Sequence, residues 1–453
     1  MVRGNYERVT LMTSISASSP AGTSTGTVPP PSKKDIHRIV AGGVAGQVVE
    51  FYDYALYGLL AASIARVFFP SEDPALGILS AFAVFGVANF MRPLGGLVLG
   101  PLGDRAGRRT VLVISVTTIS ISTFLVGILP TEAAIGIAAP VLLVLLRLVQ
   151  GFSAGGEVIS VVTYIAEHAP PKRRGFYTAF LQSGATFSFL MASMVVLLVT
   201  TLVPDEAFDV WGWRIPFLLA LPLGAVAIYL RLRLEESPVF IKLRREGELS
   251  KRPLREALLE TPWLIVQGTT VVALTFSANF VFLSYFPTYL KGQGFSSQDA
   301  FLATTIGLGL SVAIHPLVGL LSDRLGRKQV AVASAAYFLV LGWPIFALLS
   351  SGSLGLVILA LGIMAVGLGG SVAVVICFFT EFTSSRTRMA TFAIGYNIGG
   401  AIFGGTALFL VQLLVIQTGD ARSPAYFLMG AAMITLVTLL TIRRYAKPGE
   451  PLH

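Results

Sequence analysis

The feature that most constrains this chain is its succession of long apolar runs. They fall near 38–69, 78–103, 111–129, 138–167, 175–203 and 214–234, and again near 262–290, 298–322, 329–350, 354–381, 389–417 and 424–443. A run of roughly 18 or more apolar residues is long enough to cross a bilayer. Inside lipid each backbone N–H and C=O must be satisfied within the segment, which a helix achieves and an open sheet does not. The expected fold is therefore all-α: a polytopic membrane protein with 12 transmembrane helices in two pseudo-symmetric six-helix bundles. Composition agrees, since 54% of the 453 residues are apolar and only 13% are charged, outside the range of soluble domains.

The division into two rests on a repeat. Residues 100–110 read GPLGDRAGRRT, a charged reverse turn between apolar runs, and residues 319–328 read GLLSDRLGRK, with Asp323 lying 219 residues after Asp104. Glu167 followed by Lys172, Arg173 and Arg174 is echoed 214 residues later by Glu381 followed by Arg386 and Arg388. Internal symmetry of this kind marks the halves of membrane transporters. The expected divisions are a disordered tail at 1–35, a first half at 36–234, a linker at 235–261, a second half at 262–445 and a short tail at 446–453. The 1–35 segment is rich in Ser, Thr, Gly and Pro and lacks the apolar core of a signal peptide.

The net charge of +9 does not point to nucleic acid, because the basic residues are placed asymmetrically. All but Arg66, Arg92, Arg147, Arg214, Lys291 and Arg422 fall on the tail, on the loops of one side or at helix ends there. Turns of the opposite side, at 70–74, 130–132 and 204–209, carry acids and neither Lys nor Arg. This is the positive-inside pattern, which predicts a plasma-membrane protein with both termini cytoplasmic. Its expected partners are the lipid bilayer, a small-molecule solute and protons, with no nucleic acid and no obligate protein partner. Cys377 is the single cysteine, and the four histidines form no HExxH. No metal or other cofactor is expected, and no nucleophile pattern suggests an enzyme.

Ionisable groups within lipid are costly, so each is a functional candidate. Glu50, Asp53 and Tyr57 share one face of the first segment. Two carboxylates so placed suit reversible protonation, and either one alternatively sets packing by pairing with a base. Arg147, Gln150 and Glu157 share a face of the fourth segment. An arginine there keeps its charge and suits a substrate carboxylate or a permanent ion pair; Glu157 is its counter-ion or a further proton carrier. Arg92 lies 12 residues before Asp104, about 18 Å along a helix, and so needs a partner or a polar cavity. The second half offers less: Asn279, His315 before Pro316, Glu381 and Asn397. His315 is expected to fill the gap left by the proline-broken hydrogen bond, and Glu381, beside Arg386 and Arg388, to form a salt bridge at a helix end. The Gly395–Gly405 run, with its overlapping GxxxG spacings, is expected at a close helix crossing.

The paired GxxxDRxGRR/K turns, the twelve spans and the central linker together resemble the major facilitator superfamily. EFYDYALYG at 50–58, RPLGG at 92–96, QGFSAGGE at 150–157, WGWRIPF at 211–217 and GYNIGGAIFGG at 395–405 are similar to its metabolite:proton symporter branch. The resemblance implies proton symport of a small carboxylate-bearing metabolite by rocking of two halves. Proton candidates are then Glu50, Asp53 and Glu157, and solute candidates Arg92, Arg147, Gln150, Tyr57 and Asn397. The turns would form conformational latches from Asp104, Arg105, Arg108 and Arg174, and from Asp323, Arg324, Arg327, Glu381 and Arg388. The resemblance places Asp104 at the amino end of the eleventh segment and Asp323 at that of the fifth. Competing readings are a proton-coupled exporter and a solute-sensing receptor. The fifth segment has no proline in LQSGATFSFLMASMVVLL, and the linker resembles no output domain.

Overall fold

A computed structural model describes residues 47–48, 51–106, 108–156, 170–232, 262–382 and 388–442. Every regular element among them is helical. The segments run α1 (51–68, with a turn at Leu60), α2 (Pro74–Ala106), α3 (Arg108–Ile128), α4 (Ala138–Ser153, continued by the tighter turn Ala154–Gly156), α5 (Arg174–Leu202) and α6 (Asp205–Tyr229). After the linker come α7 (Pro262–Gly292), α8 (Ser297–Leu325), α9 (Arg327–Leu349), α10 (Leu354–Phe382), α11 (Arg388–Gly399, continued through Gly400–Gly405 and Ala407–Thr418) and α12 (Pro424–Thr441). Ten helices are by themselves long and apolar enough to cross a membrane. The other two, α1 and α4, are described over only part of their expected lengths.

Two boundaries differ from the sequence reading, each for a local reason. Helix α2 starts at Pro74, ahead of 78, because the Asp73 carboxylate accepts the Ala75 N–H at 2.9 Å and Pro74 suits the first helical position. Helix α6 starts at Asp205, not near 214, because Asp205 and Glu206 complement the positive end of the helix and a wider π turn at Phe208–Gly212 carries it on. Arg214 explains itself here: Nη1 donates to the Gly127 and Leu129 carbonyls at 2.9 and 2.8 Å, satisfying the carboxyl end of α3.

Packing repeats between halves. In the first, α2 packs on α4 and α3 on α6; in the second, α8 packs on α10 and α9 on α12. The halves meet where α5 runs along α8 and where α2 crosses α11, the same contact with the halves exchanged. Of the ten helices long enough to cross by themselves, α7 is the most enclosed: 72% of its apolar window is buried, against 39% for α8 and α9, so it lines the centre and has little lipid face.

Close approach within the first half depends on glycines. A side chain on Gly95 would overlap the Phe152 carbonyl, one on Gly151 the Ala88 carbonyl, and one on Gly155 the Arg92 carbonyl. This brings α4, with its arginine, against α2 and α1.

Candidate functional site

The centre of the first half is a closed polar network. Asp53 on α1 faces Arg147 and Gln150, one turn apart on α4, and Thr123 on α3, and all four side chains are buried. Asp53 Oδ2 pairs with Arg147 Nη1 at 2.9 Å. Oδ1 accepts from Thr123 Oγ1 and Gln150 Nε2, both at 2.7 Å. Gln150 closes the ring, accepting from Arg147 Nη1 at 2.8 Å and donating to Thr123 Oγ1 at 3.1 Å. Removing a charge from water costs several kcal/mol even after relaxation, and an ion pair repays this only when its remaining lone pairs are bonded. The carboxylate meets that condition at both oxygens.

Arg147 meets it on one side only. Its Nε and Nη2 are buried without a hydrogen-bond partner among the described residues. The guanidinium instead lies 4.3 Å from the Tyr57 ring centroid, with Tyr54 and Phe85 at 5.6 and 5.9 Å, a cation–π setting. Tyr57 is itself held by a hydrogen bond from its hydroxyl to the Ala81 carbonyl at 3.2 Å.

The structure thus brings together Asp53, Tyr57, Arg147 and Gln150, and adds Thr123, which sequence reasoning missed. Arg92 lies one layer away, its guanidinium 5.2 Å from the Tyr54 ring and Nη2 donating to the Ala154 carbonyl at 3.4 Å. Asn397 is half-buried on α11, next to Tyr396, whose ring packs 4.8 Å from Phe276 of α7. Glu50 and Glu157 lie outside the described residues, as do the linker and both tails. Asp104, Arg105, Arg108, Glu381 and Arg388 are described in their backbone, and their side chains lie outside the description.

The second charged turn is fully visible. Asp323 at the end of α8 accepts the Gly175 and Phe176 N–H groups at the start of α5, each at 2.9 Å. Arg327 pairs with the same carboxylate at 2.7 Å, while Arg324 is exposed and Arg174 buried. A carboxylate at a helix amino end is favoured by the free N–H groups and the dipole together. Further along this crossing, Ser183 Oγ donates to the Val312 carbonyl at 3.2 Å and Ser193 meets Thr305 at 2.7 Å. Val312 is the residue whose helical bond Pro316 removes. The gap is therefore filled by Ser183 from the other half and not by His315, whose Nε2 meets Ser311 Oγ at 3.3 Å.

On the opposite side of the centre the halves touch through glycines and distorted helix. Gly58 of α1 abuts Ser284 in the π turn Val281–Tyr285 of α7, and Gly86 of α2 abuts Gly405 in the π turn Gly400–Gly405 of α11. The glycine run of α11 lies against α7, with Gly395 at Gly268, Gly399 at Val272, and Gly400 and Gly404 under Phe276 and Phe280. Phe280 packs edge-on to Phe85 at 5.4 Å, joining this wall to the Arg147 surround. Nearer the surface Arg66 pairs with Asp209. In the loop before α12, hydrogen bonds from the Arg422 side chain and backbone hold the Asp420 carboxyl below its ordinary value.

Residues 44–404 match the family described as the Major Facilitator Superfamily. The chain is 38% identical over 431 residues to the ectoine/proline transporter ProP of Corynebacterium glutamicum, covering 91% of this chain and 84% of that protein. It is 34% identical over 424 residues to the proline/betaine transporter of Escherichia coli K12, with the same 91% and 84% coverage. It is 32% identical over 402 residues to the citrate-proton symporter of Klebsiella pneumoniae, covering 88% and 90%. Among solved structures it is similar to the partially occluded, inward-open xylose transporter XylE from E. coli, with a TM-score of 0.69, 18% identity and coverage of 89% and 96%. At that identity the likeness establishes the fold alone.

Proposed function

The chain belongs to the Major Facilitator Superfamily, so it is a multi-pass membrane transporter and not an enzyme, and from that premise we propose that it takes up a small carboxylate-bearing solute together with a proton. The solute class is a proline- or betaine-like zwitterion or an organic acid, the two kinds named among its relatives. The halves, 36–234 and 262–445, rock about the central site. Both termini face the cytoplasm of the plasma membrane, a reading supported by the one-sided Lys and Arg.

The observation that carries this is the half-used guanidinium of Arg147: one nitrogen holds Asp53, while Nε and Nη2 are buried donors with no hydrogen-bond partner among the described residues. A buried cation requires a counter-charge. When Asp53 is ionised it supplies one. When Asp53 takes a proton, the charge on Arg147 falls to the solute carboxylate, which the guanidinium fork suits. Proton and solute are thereby bound together. Tyr57 and Gln150 orient the arginine, and Arg92 and Asn397 border the solute. Asp104 with Arg105, Arg108 and Arg174, and Asp323 with Arg324, Arg327, Glu381 and Arg388, latch the halves on the cytoplasmic side. The hydrogen bonds that Asp323 accepts from the backbone N–H groups at the start of α5 support that role.

The test is accumulation in proteoliposomes of proline, glycine betaine, ectoine, oxoglutarate, citrate and shikimate, with and without an inward proton gradient. One compound should accumulate and cease to do so when the gradient is collapsed. Equilibration that ignores the gradient would make the protein a uniporter and leave Asp53 a structural role.

A further inference from the structure

We propose that Thr123 is the residue that lets Asp53 gain and lose a proton without leaving a buried polar atom unpaired; this rests on the reading of Asp53 as the proton carrier. The Thr123 hydroxyl has a single hydrogen and two acceptors at equal distance: Asp53 Oδ1 at 2.7 Å and the carbonyl oxygen of Ile119 at 2.7 Å. The side chain is 0% exposed, so no solvent mediates between them. A hydroxyl donates once and accepts through two lone pairs, so it has two settings.

With Asp53 ionised, the hydrogen points at Oδ1. An arriving proton goes to that same oxygen, because Oδ2 faces the Arg147 cation at 2.9 Å. The new Oδ1–H then needs an acceptor, and the Thr123 oxygen is the one within reach. The hydroxyl turns its own hydrogen to the Ile119 carbonyl. One O–H bond forms, at Oδ1, and none breaks in Thr123. The proton comes from water on the open side and returns to water on the other. Gln150 does not fill this part, since its nitrogen only donates and its oxygen is held by Arg147 at 2.8 Å. The remaining charged or titratable groups facing this spot among the described residues are Arg147 from α4, Tyr54 and Tyr57 from α1, and Arg92 from α2 through the Tyr54 ring. Arg214 of α6 points away, to the carboxyl end of α3.

The experiment is an infrared pH titration of the full-length protein in lipid, reading the C=O stretch of protonated carboxyl groups, and it needs no solute. The chain has 24 Asp and Glu residues, so the band read is the component that titrates in the wild type and is expected to vanish in Asp53→Asn. In Thr123→Val the ionised state loses a charge-assisted bond and the protonated state a weaker neutral one. The midpoint of the band should therefore move toward alkaline pH by about one unit, a tenfold change in proton affinity. Thr123→Ser should restore it, and Thr123→Ala carries the same test where the extra methyl of valine disturbs packing. A role confined to packing would lower the yield of folded protein without moving the midpoint. An unmoved midpoint in both hydroxyl-free variants, with the band still lost in Asp53→Asn, overturns the assignment of Thr123 and leaves Asp53 in place. Survival of the band in Asp53→Asn removes both.

Discussion

The two halves share a fold and differ in chemistry at their centres. Carrying the 219-residue offset of the charged turns into the second half, Asp53 and Thr123 correspond to Val272 and Gly342, and the 214-residue offset of the Glu167 and Glu381 echo takes Arg147 and Gln150 to Leu361 and Met364. Where the first half buries an ion pair with its hydrogen bonds, the second presents the rings of Phe276, Phe280 and Tyr285, small residues and two π turns. Charge that titrates needs a rigid, satisfied shell, and the first half supplies it. A wall that moves across that site is better made of rings and glycines, which slide without breaking hydrogen bonds. The contrast is one of division of labour within a duplicated frame.

The sharpest way to break this contrast is to remove the charge from one side and its counterpart from the other. Arg147→Ala leaves the Asp53 carboxylate buried without its pair and should destabilise the protein by about 3–5 kcal/mol, seen as a fall in the melting temperature of the purified protein. Leu361→Met, at the matching buried position, keeps the side-chain volume and should cost under about 1.5 kcal/mol. Equal losses would contradict the asymmetry.

Between these extremes lies the seam. Asp323→Ala takes the carboxylate from Arg327 and leaves the two α5 N–H groups without their acceptor, at a cost of about 1.5–3 kcal/mol for bonds to a charged group. Solute accumulation should fall by about tenfold or more while equilibrium solute binding stays measurable. Gly405→Val drives a branched side chain into Asn89 and the Gly86 backbone, an overpacking worth about 1–3 kcal/mol. It should hold the α2–α11 crossing apart and slow exchange. If turnover were unchanged, the glycine contact would not belong to the moving wall. The smallest effect belongs to Ser183→Ala, which leaves the Val312 carbonyl unpaired at the Pro316 break and should cost about 1 kcal/mol, read from thermal unfolding.

How much of this was legible in the sequence depended on the kind of information each residue carries. Hydropathy and the DR turns showed the helices, because a membrane forces each span to satisfy itself. Arg147 with Gln150 and Asp53 with Tyr57 were legible because they share helix faces. The choice between Glu50 and Asp53 was not, since helical periodicity makes them neighbours; the structure shows α4 approaching Asp53, and Glu50 lies outside the described residues. Thr123 was hidden for another reason: it is one of several hydroxyl residues in VTTISISTFLV, and nothing in that pattern marks the one facing a carboxylate. Ser183 at the Val312 carbonyl was equally hidden, because a partner on α5 is a tertiary fact, whereas His315 was simply adjacent. The helix starts at Pro74 and Asp205 are not legible from hydropathy, because the acids beside them mark a turn and a helix cap equally well.

The central claim is that Asp53 and the solute exchange places on Arg147. Its most direct test is solute affinity as a function of pH, in the wild type and in Asp53→Asn, using the compound accumulated by the wild type. The wild type should bind more tightly as pH falls. The variant, with the competing carboxylate removed, should bind at the tight, low-pH value throughout. An affinity in Asp53→Asn that still weakens as pH rises would place the coupling proton elsewhere and contradict the exchange.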